Sequence, residues 1–202
     1  MRLICLIAIP FVLTACSLFQ PVKVEPMSTY ILKNVTQSSV SEKRTNQTLL
    51  VAAPTSAPGY DNANMAYVDK TYQLKYFTKN RWVDYPARML KPLIVQALEN
   101  THHFQAVVML PYPGETDLRL DTTLLSLYQD FTKQPTQERL VVRVQLINLK
   151  TREAIATREF DLHCNAPQAT PYGGVVAANH LTGQLLHQIA AFVVKHSPEK
   201  KS

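Results

Sequence analysis

The sequence predicts a two-layer α+β fold, with a mostly antiparallel sheet of about six or seven strands and two main helices on one face. Three observations predict it. The middle of the chain is dominated by runs of period-two alternation, and two stretches repeat apolar residues at three- and four-residue spacing. Between them lie segments rich in Pro, Gly, Asn and Asp, the residues that punctuate regular structure.

Taken in order, Thr29 to Val35 reads as a first strand and Gln37 to Thr48 as a polar loop. Leu49 to Ala53 is a short continuous apolar run, suited to a strand buried on both faces. Pro54 to Asn64 is a loop, followed by a hairpin of Met65 to Asp69 and Tyr72 to Thr78. In its second arm Tyr72, Leu74 and Tyr76 share one face, and Gln73, Lys75 and Phe77 the other. Asp84-Tyr85-Pro86 opens a helix with an apolar stripe of Met89, Leu90, Leu93, Ile94, Ala97 and Leu98, and Pro92 is expected to kink it or mark its true start. Phe104 to Leu110 is the next strand. Asp117 to Phe131 is a long strand whose apolar parity changes: Leu118 and Leu120 face one side, Leu125, Leu127 and Phe131 the other. A bulge near Thr122 would bring all five to the core. Leu140 to Leu149 and Ala154 to His163 complete an antiparallel meander, and Tyr172 to His196 is a closing helix with Ala178, Leu181, Leu185, Ile189, Phe192 and Val193 on its apolar side.

The amino terminus indicates the compartment. Met1-Arg2 is a positive start and Leu3 to Leu13 an apolar run broken only by Pro10, the layout of a secretory signal. It ends in Leu13-Thr14-Ala15-Cys16, which looks like a bacterial lipobox, with cleavage between Ala15 and Cys16. The Cys16 thiol would carry a diacylglycerol and the new amino group an acyl chain such as palmitate. One acyl chain binds a membrane marginally and stable anchoring needs at least two. An ordinary cleaved signal with a chance cysteine is the alternative, and position, length and flanking residues together argue against it. The expected organisation is a signal peptide over 1–15, a lipidated tether over 16–28, one α+β domain over 29–196 and a polar tail over 197–202. The tether, with Pro21 and Pro26, would reach roughly 35 Å at about 3 Å per residue. Cys164 would then be a thiol without an internal partner, expected to be buried and inert, with an intermolecular bridge as the alternative.

Composition narrows the function. The chain has 202 residues, 46% hydrophobic and 18% charged, which fits one domain with a sizeable core. Its +6 charge is scattered and not gathered in a stripe, which argues against nucleic acid and leaves mild attraction to acidic lipid or protein. No Gly-rich phosphate loop, nucleophile elbow, H-E-x-x-H or C-x-x-C occurs, so an enzyme is not expected, nor any metal or cofactor beyond the lipid on Cys16. His102 and His103 are neighbours that cannot readily share an ion, and read as surface or capping residues. His163 and Cys164 fall on opposite strand faces. His180 and His187 lie about 10.5 Å apart along a helix and read as partly buried polar residues. Asp117 and Asp121, near 13 Å apart with Arg119 between them, read as an exposed charged strand face. Arg81 beside Trp82 is a candidate stacking site for a partner, with a core role for the lone Trp as the plainer reading.

Several segments together resemble a known family. The lipobox, Tyr30-Ile31-Leu32, Leu49-Leu50-Val51, Pro58-Gly59-Tyr60, Met65-Ala66-Tyr67, then Tyr72, Leu74 and Tyr76 leading into Asn80 to Leu90 are similar in order and spacing to the ABC-type transport auxiliary lipoproteins, which include the paraquat-inducible lipoprotein of the C type. The resemblance implies a non-enzymatic subunit that works with an MCE-domain protein, an inner-membrane permease and an ATPase in lipid transport between membranes. Ser17, where an Asp would signal inner-membrane retention, implies the periplasmic face of the outer membrane. Whether the chain forms a homo-oligomer stays open. Pro58, Gly59 and Tyr60 are the other candidate partner contact, a loop aromatic being a good contact element, with coverage of the sheet edge as the equal alternative. The rival function is a structural or binding lipoprotein that supports outer-membrane or secretion-system assembly.

Overall fold

A computed structural model describes residues 26–33 and 44–198. Ala15, Cys16 and most of the tether lie outside them. The elements are β1 (Ser28–Tyr30), β2 (Thr48–Val51), β3 (Thr55–Ser56), β4 (Asn64–Lys70), β5 (Gln73–Trp82), α1 (Pro86–Glu99), β6 (Ala106–Met109), β7 (Leu118–Asp130), β8 (Gln137–Asn148), β9 (Glu153–Asn165) and α2 (Pro171–His196). The α+β class and both helices are as the periodicity predicts. The sheet is larger and less antiparallel than expected.

It has nine strands and is mixed. β7 is its axis. On one side β8 and β9 follow as the antiparallel meander. On the other, β2, β3 and β4 all run parallel to β7 and occupy one edge of it in succession, through Leu49↔Leu118, Thr55↔Thr123 and Ala66↔Tyr128. The three form a single interrupted lane. β6 flanks its beginning in parallel, β5 flanks its end antiparallel, and β1 adds a parallel edge to β5. Local alternation is the same for parallel and antiparallel strands, so this direction was not written in the pattern. β3 lies in the stretch expected to be loop throughout.

The predicted bulge exists, and falls later than Thr122. The β7/β8 register shifts between Leu124 and Ser126, so Leu125 is the extra residue and points away from the core, while Leu124 takes the buried place assigned to it. Leu118, Leu120, Leu124 and Leu127 then line one face with Leu140, Val142, Val144 and Leu146. Both helices pack on that face, α2 over β8 and β9, α1 over β6 and β2. α1 begins at Pro86, where the missing N–H costs nothing, and runs through Pro92. Asp84 does not cap it; its carboxylate accepts the Tyr85 N–H at 2.7 Å. α2 is capped by Thr170, whose hydroxyl accepts the Gly173 N–H at 3.1 Å, an arrangement that stabilises by about 1 kcal/mol. Trp82 is 2% exposed, a core anchor.

One cross-strand row on the helix face is polar. Tyr67, Gln129, Glu138 and Cys164 stand side by side on β4, β7, β8 and β9. Gln129 and Glu138 are buried, and among the described residues neither amide atom of Gln129 has a hydrogen-bond partner. The first turn of α2 closes over them: a Cβ on Gly174 would lie 2.7 Å from Gln129 Oε1 and 3.1 Å from Glu138 Oε2, so that both side chains would have to shift. Burial holds the Glu138 carboxyl well above its ordinary value. The same desolvation raises the half-buried Cys164 thiol, with the Glu138 charge adding to it, and Sγ donates to the Ala177 carbonyl at 3.8 Å. Cys164 is free and half-buried where the sequence predicts burial, and its raised value disfavours the thiolate.

Candidate functional site

With the helices on one face, no described element covers the other face of the sheet, and Pro58, Gly59, Tyr60 and Arg81, but not Trp82, lie toward it. β3 delivers the chain to this side: Ala57 N–H donates to the Leu124 carbonyl at 2.8 Å, and Pro58-Gly59-Tyr60 follows. Gly59 has φ +91°, a conformation that disfavours side chains, and a Cβ there would press on Leu74 Cδ2 at 3.2 Å. The turn is fixed from both sides. Gly59 O accepts the Tyr76 hydroxyl at 2.8 Å and the Asn62 amide at 3.2 Å, and Tyr60 N–H donates to Ala57 O at 3.0 Å.

Tyr60 is half-buried beside Tyr76, Tyr128 and Arg139. Burial, and then the two neighbouring phenols, push its pKa up to about 12 against the opposing pull of Arg139. It is therefore a neutral hydrogen-bonding aromatic at physiological pH. The loop returns to the other predicted segment where Trp82 N–H donates to Ala63 O at 2.8 Å and Asn64 pairs with Arg81. Arg81 is exposed. Trp82 corrects the expectation: its indole belongs to the core and offers no face to a partner. Cations stack instead at Arg88, 4.3 Å from the Tyr85 ring centroid, and at Arg158, 4.8 Å from that of Phe160.

Beyond the tyrosines the face carries ion pairs. Arg139 grips Asp161 through both arms, at 2.9 and 2.6 Å, and reaches the Tyr128 hydroxyl at 3.3 Å. Arg143 meets Glu159 at 2.9 Å, and Arg119 binds Asp121 at 2.6 and 2.5 Å. The guanidinium beside Asp161 holds that carboxyl below the usual range. A cleft of about 520 Å³ lies along Thr55, Arg119, Asp121, Arg143 and Gln145, floored partly by the Thr55–Thr123 hydroxyl contact at 3.0 Å. These are recognition groups: charges already compensated, hydroxyls, and phenols.

The remaining candidates stay apart. Asp117 is engaged structurally, accepting the Thr48 N–H at 3.0 Å. His163 is exposed on the open face and Cys164 faces α2, as their parity predicts. His102 is exposed, but His103 is a buried residue with its ring 4.8 Å from Phe104, contrary to a surface reading. His180 and His187 are exposed on α2 and not partly buried. Among the described residues no cluster of His, Cys, Asp or Glu is placed to hold a metal ion. Sequence reasoning missed Tyr128, Arg139 and Arg143, although the alternation that places Leu140, Val142 and Val144 inward sends the two arginines outward.

The fold and this face invite comparison with known proteins. A model of the ABC-type transport auxiliary lipoprotein component matches residues 30–190. The chain belongs to this family. Among solved structures, this auxiliary lipoprotein is similar to protein XCC0632 from Xanthomonas campestris, with a TM-score of 0.76 and 15% identity over 84% of this chain and 96% of that one. A second, described as an uncharacterized protein, gives 0.66 and 16% over 84% and 99%, and the hypothetical protein CT253 from Chlamydia trachomatis 0.52 and 8% over 75% and 98%. At these identities the likeness is one of fold. No curated protein matches the sequence. Among the described residues of the auxiliary lipoprotein, no helix is long and apolar enough to cross a membrane.

Proposed function

We propose that this auxiliary lipoprotein is the outer-membrane subunit of an ABC-type MCE system for intermembrane lipid transport, anchored through lipidated Cys16 and docking the periplasmic MCE assembly on its open sheet face. The observation that carries the reading is the family match over residues 30–190 on a fold whose second sheet face is covered by no element among the described residues. Docking needs a rigid, chemically mixed surface. The Gly59-Tyr60 turn supplies an aromatic held by hydrogen bonds on both sides, so little conformational entropy is lost when a partner closes over it. The flanking ion pairs define orientation more than affinity. Transport energy would come from ATP hydrolysis by the partner ATPase, the part this chain plays being mechanical: to hold the far end of the assembly at the membrane.

The test is to extract the lipidated protein in mild detergent and identify its companions by mass spectrometry. Recovery of an MCE-domain protein is expected, and Tyr60→Ala is expected to lower that recovery at least tenfold while the fold stays intact. Recovery of secretion or outer-membrane assembly proteins in place of an MCE partner would overturn the reading.

A further inference from the structure

A second exposed surface lies at the β1 edge of the sheet, where the described chain enters the domain. Large apolar side chains are left in solvent there: Met27 at 55%, Ile31 at 47%, Val83 at 52%, Tyr172 at 59% and Val176 at 42%. They come from three elements that meet. Val83 N–H donates to Tyr30 O at 2.7 Å, so Val83 flanks Ile31. Asn179 of α2 bridges the same strand end, donating to Ile31 O at 3.2 Å and accepting the Lys33 N–H at 2.7 Å. Tyr172 and Val176 lie on the stripe of α2 that Asn179 continues, at seven and three residues before it, and the Tyr172 ring is 6.1 Å from that of Tyr30. Scattered apolar side chains need no explanation, but a contiguous corner of them marks a contact surface.

The exposed charges on the rows of Ile31 and Val83 are basic. Lys33 and Arg81 are exposed beside the corner, Arg81 through its pairing with Thr29, and among the described residues neither is paired with a carboxylate. Asp84, which follows Val83, is engaged with Arg88 at 3.6 Å and with the Tyr85 N–H. Apolar side chains with a tyrosine and basic neighbours are the composition of a protein surface that rests in a lipid headgroup region. Connectivity agrees. Met27 stands eleven positions after Cys16, a span of no more than about 40 Å even when fully extended.

We infer that the corner formed by Ile31, Val83, Tyr172 and Val176, flanked by Lys33 and Arg81, lies on the anionic bilayer surface and fixes the orientation of the domain beneath its lipid anchor. The inference rests on the lipidation of Cys16 in the proposed function. It supplies the weak second contact that an acylated protein needs to hold one orientation.

The experiment uses the full lipidated chain in vesicles of phosphatidylethanolamine and phosphatidylglycerol carrying brominated acyl chains. Cys164→Ser removes the native free thiol, and a fluorophore is attached at Val176→Cys, at Ile31→Cys, or at Thr157→Cys on the open sheet face, with circular dichroism checking the fold of each. Bromine is expected to quench the probes at 176 and 31 at least twofold and to leave the probe at 157 unchanged. Vesicle-bound protein with unquenched probes at 176 and 31 would overturn the corner and leave the anchor standing. Protein that fails to float with vesicles and has no lipid mass on Cys16 would overturn both. Protection of the two probes that grows with protein concentration in the absence of lipid would assign the corner to a second copy, and overturn the bilayer reading.

Discussion

Two neighbouring rows of the same three strands treat polar side chains in opposite ways. Tyr128, Arg139 and His163 stand across β7, β8 and β9 on the open face; one residue along, Gln129, Glu138 and Cys164 stand across the same strands on the helix face. In the first row Arg139 meets Asp161 bidentately and touches the Tyr128 hydroxyl. In the second, the amide of Gln129 has no partner among the described residues and Glu138 is shut beneath Gly174. The lesson is that exposure decides the cost. A partnered charge in solvent is nearly neutral for stability, whereas a buried carboxyl survives by remaining protonated.

The sharpest way to break the contrast is to crowd the buried row. Gly174→Leu places side-chain atoms where Gln129 and Glu138 already stand, and is expected to cost about 3 kcal/mol, read as a fall in Tm of roughly 6–12 °C. Next comes the charge itself. Because burial raises the folded-state pKa of Glu138, the unfolded chain gives up that proton first as pH rises. Stability is therefore full below the ordinary carboxylate value and declines with pH until the raised folded value is passed. Glu138→Gln should flatten this decline and raise stability at neutral pH by about 1–2 kcal/mol, measured by urea denaturation across pH. A decline that persists in the variant would place its origin elsewhere.

The open row should respond weakly and with the opposite sign. Arg139 lowers the Asp161 pKa, so its contribution is present above the ordinary carboxylate range and is lost as pH falls through the depressed value. Both side chains are nearly half exposed, and solvent screening limits Arg139→Ala to about 0.5 kcal/mol, visible as a small loss of stability at neutral pH that vanishes in acid. The smallest expected effect is optical. Tyr60→Phe should remove one phenol from the most alkaline end of the tyrosinate absorbance titration, near pH 12, with little change in stability.

Most of the meander and both helices were legible, because their periodicity is set by which side chains face the core. The strand fault was legible too: Leu118 and Leu120 disagree in parity with Leu127, and only an extra residue reconciles them. Its place was not, since Leu124 and Leu125 are chemically identical and only the pairing with β8 decides which is extruded. The parallel lane of β2, β3 and β4 was hidden because partner choice between distant strands leaves no local mark. Tyr60 could be picked from its turn, but its neighbours Tyr76, Tyr128 and Arg139 are assembled from three strands and are visible only once registers are known. Glu138 and Gln129 had a signal that went unread. Counting back two residues from Leu140 and on two from Leu127 puts both on the core face.

The interrupted lane beside β7 carries a consequence for how such a domain can diversify. Pairing stops after Ser56 and resumes at Ala66, each side held by its own register to β7. The residues between them can lengthen, shorten or change composition without slipping a strand on either side. Binding preference and architectural integrity are thereby uncoupled along the chain, and this stretch is a natural graft point where a recognition loop from one relative could be transplanted into another while the framework keeps its alignment.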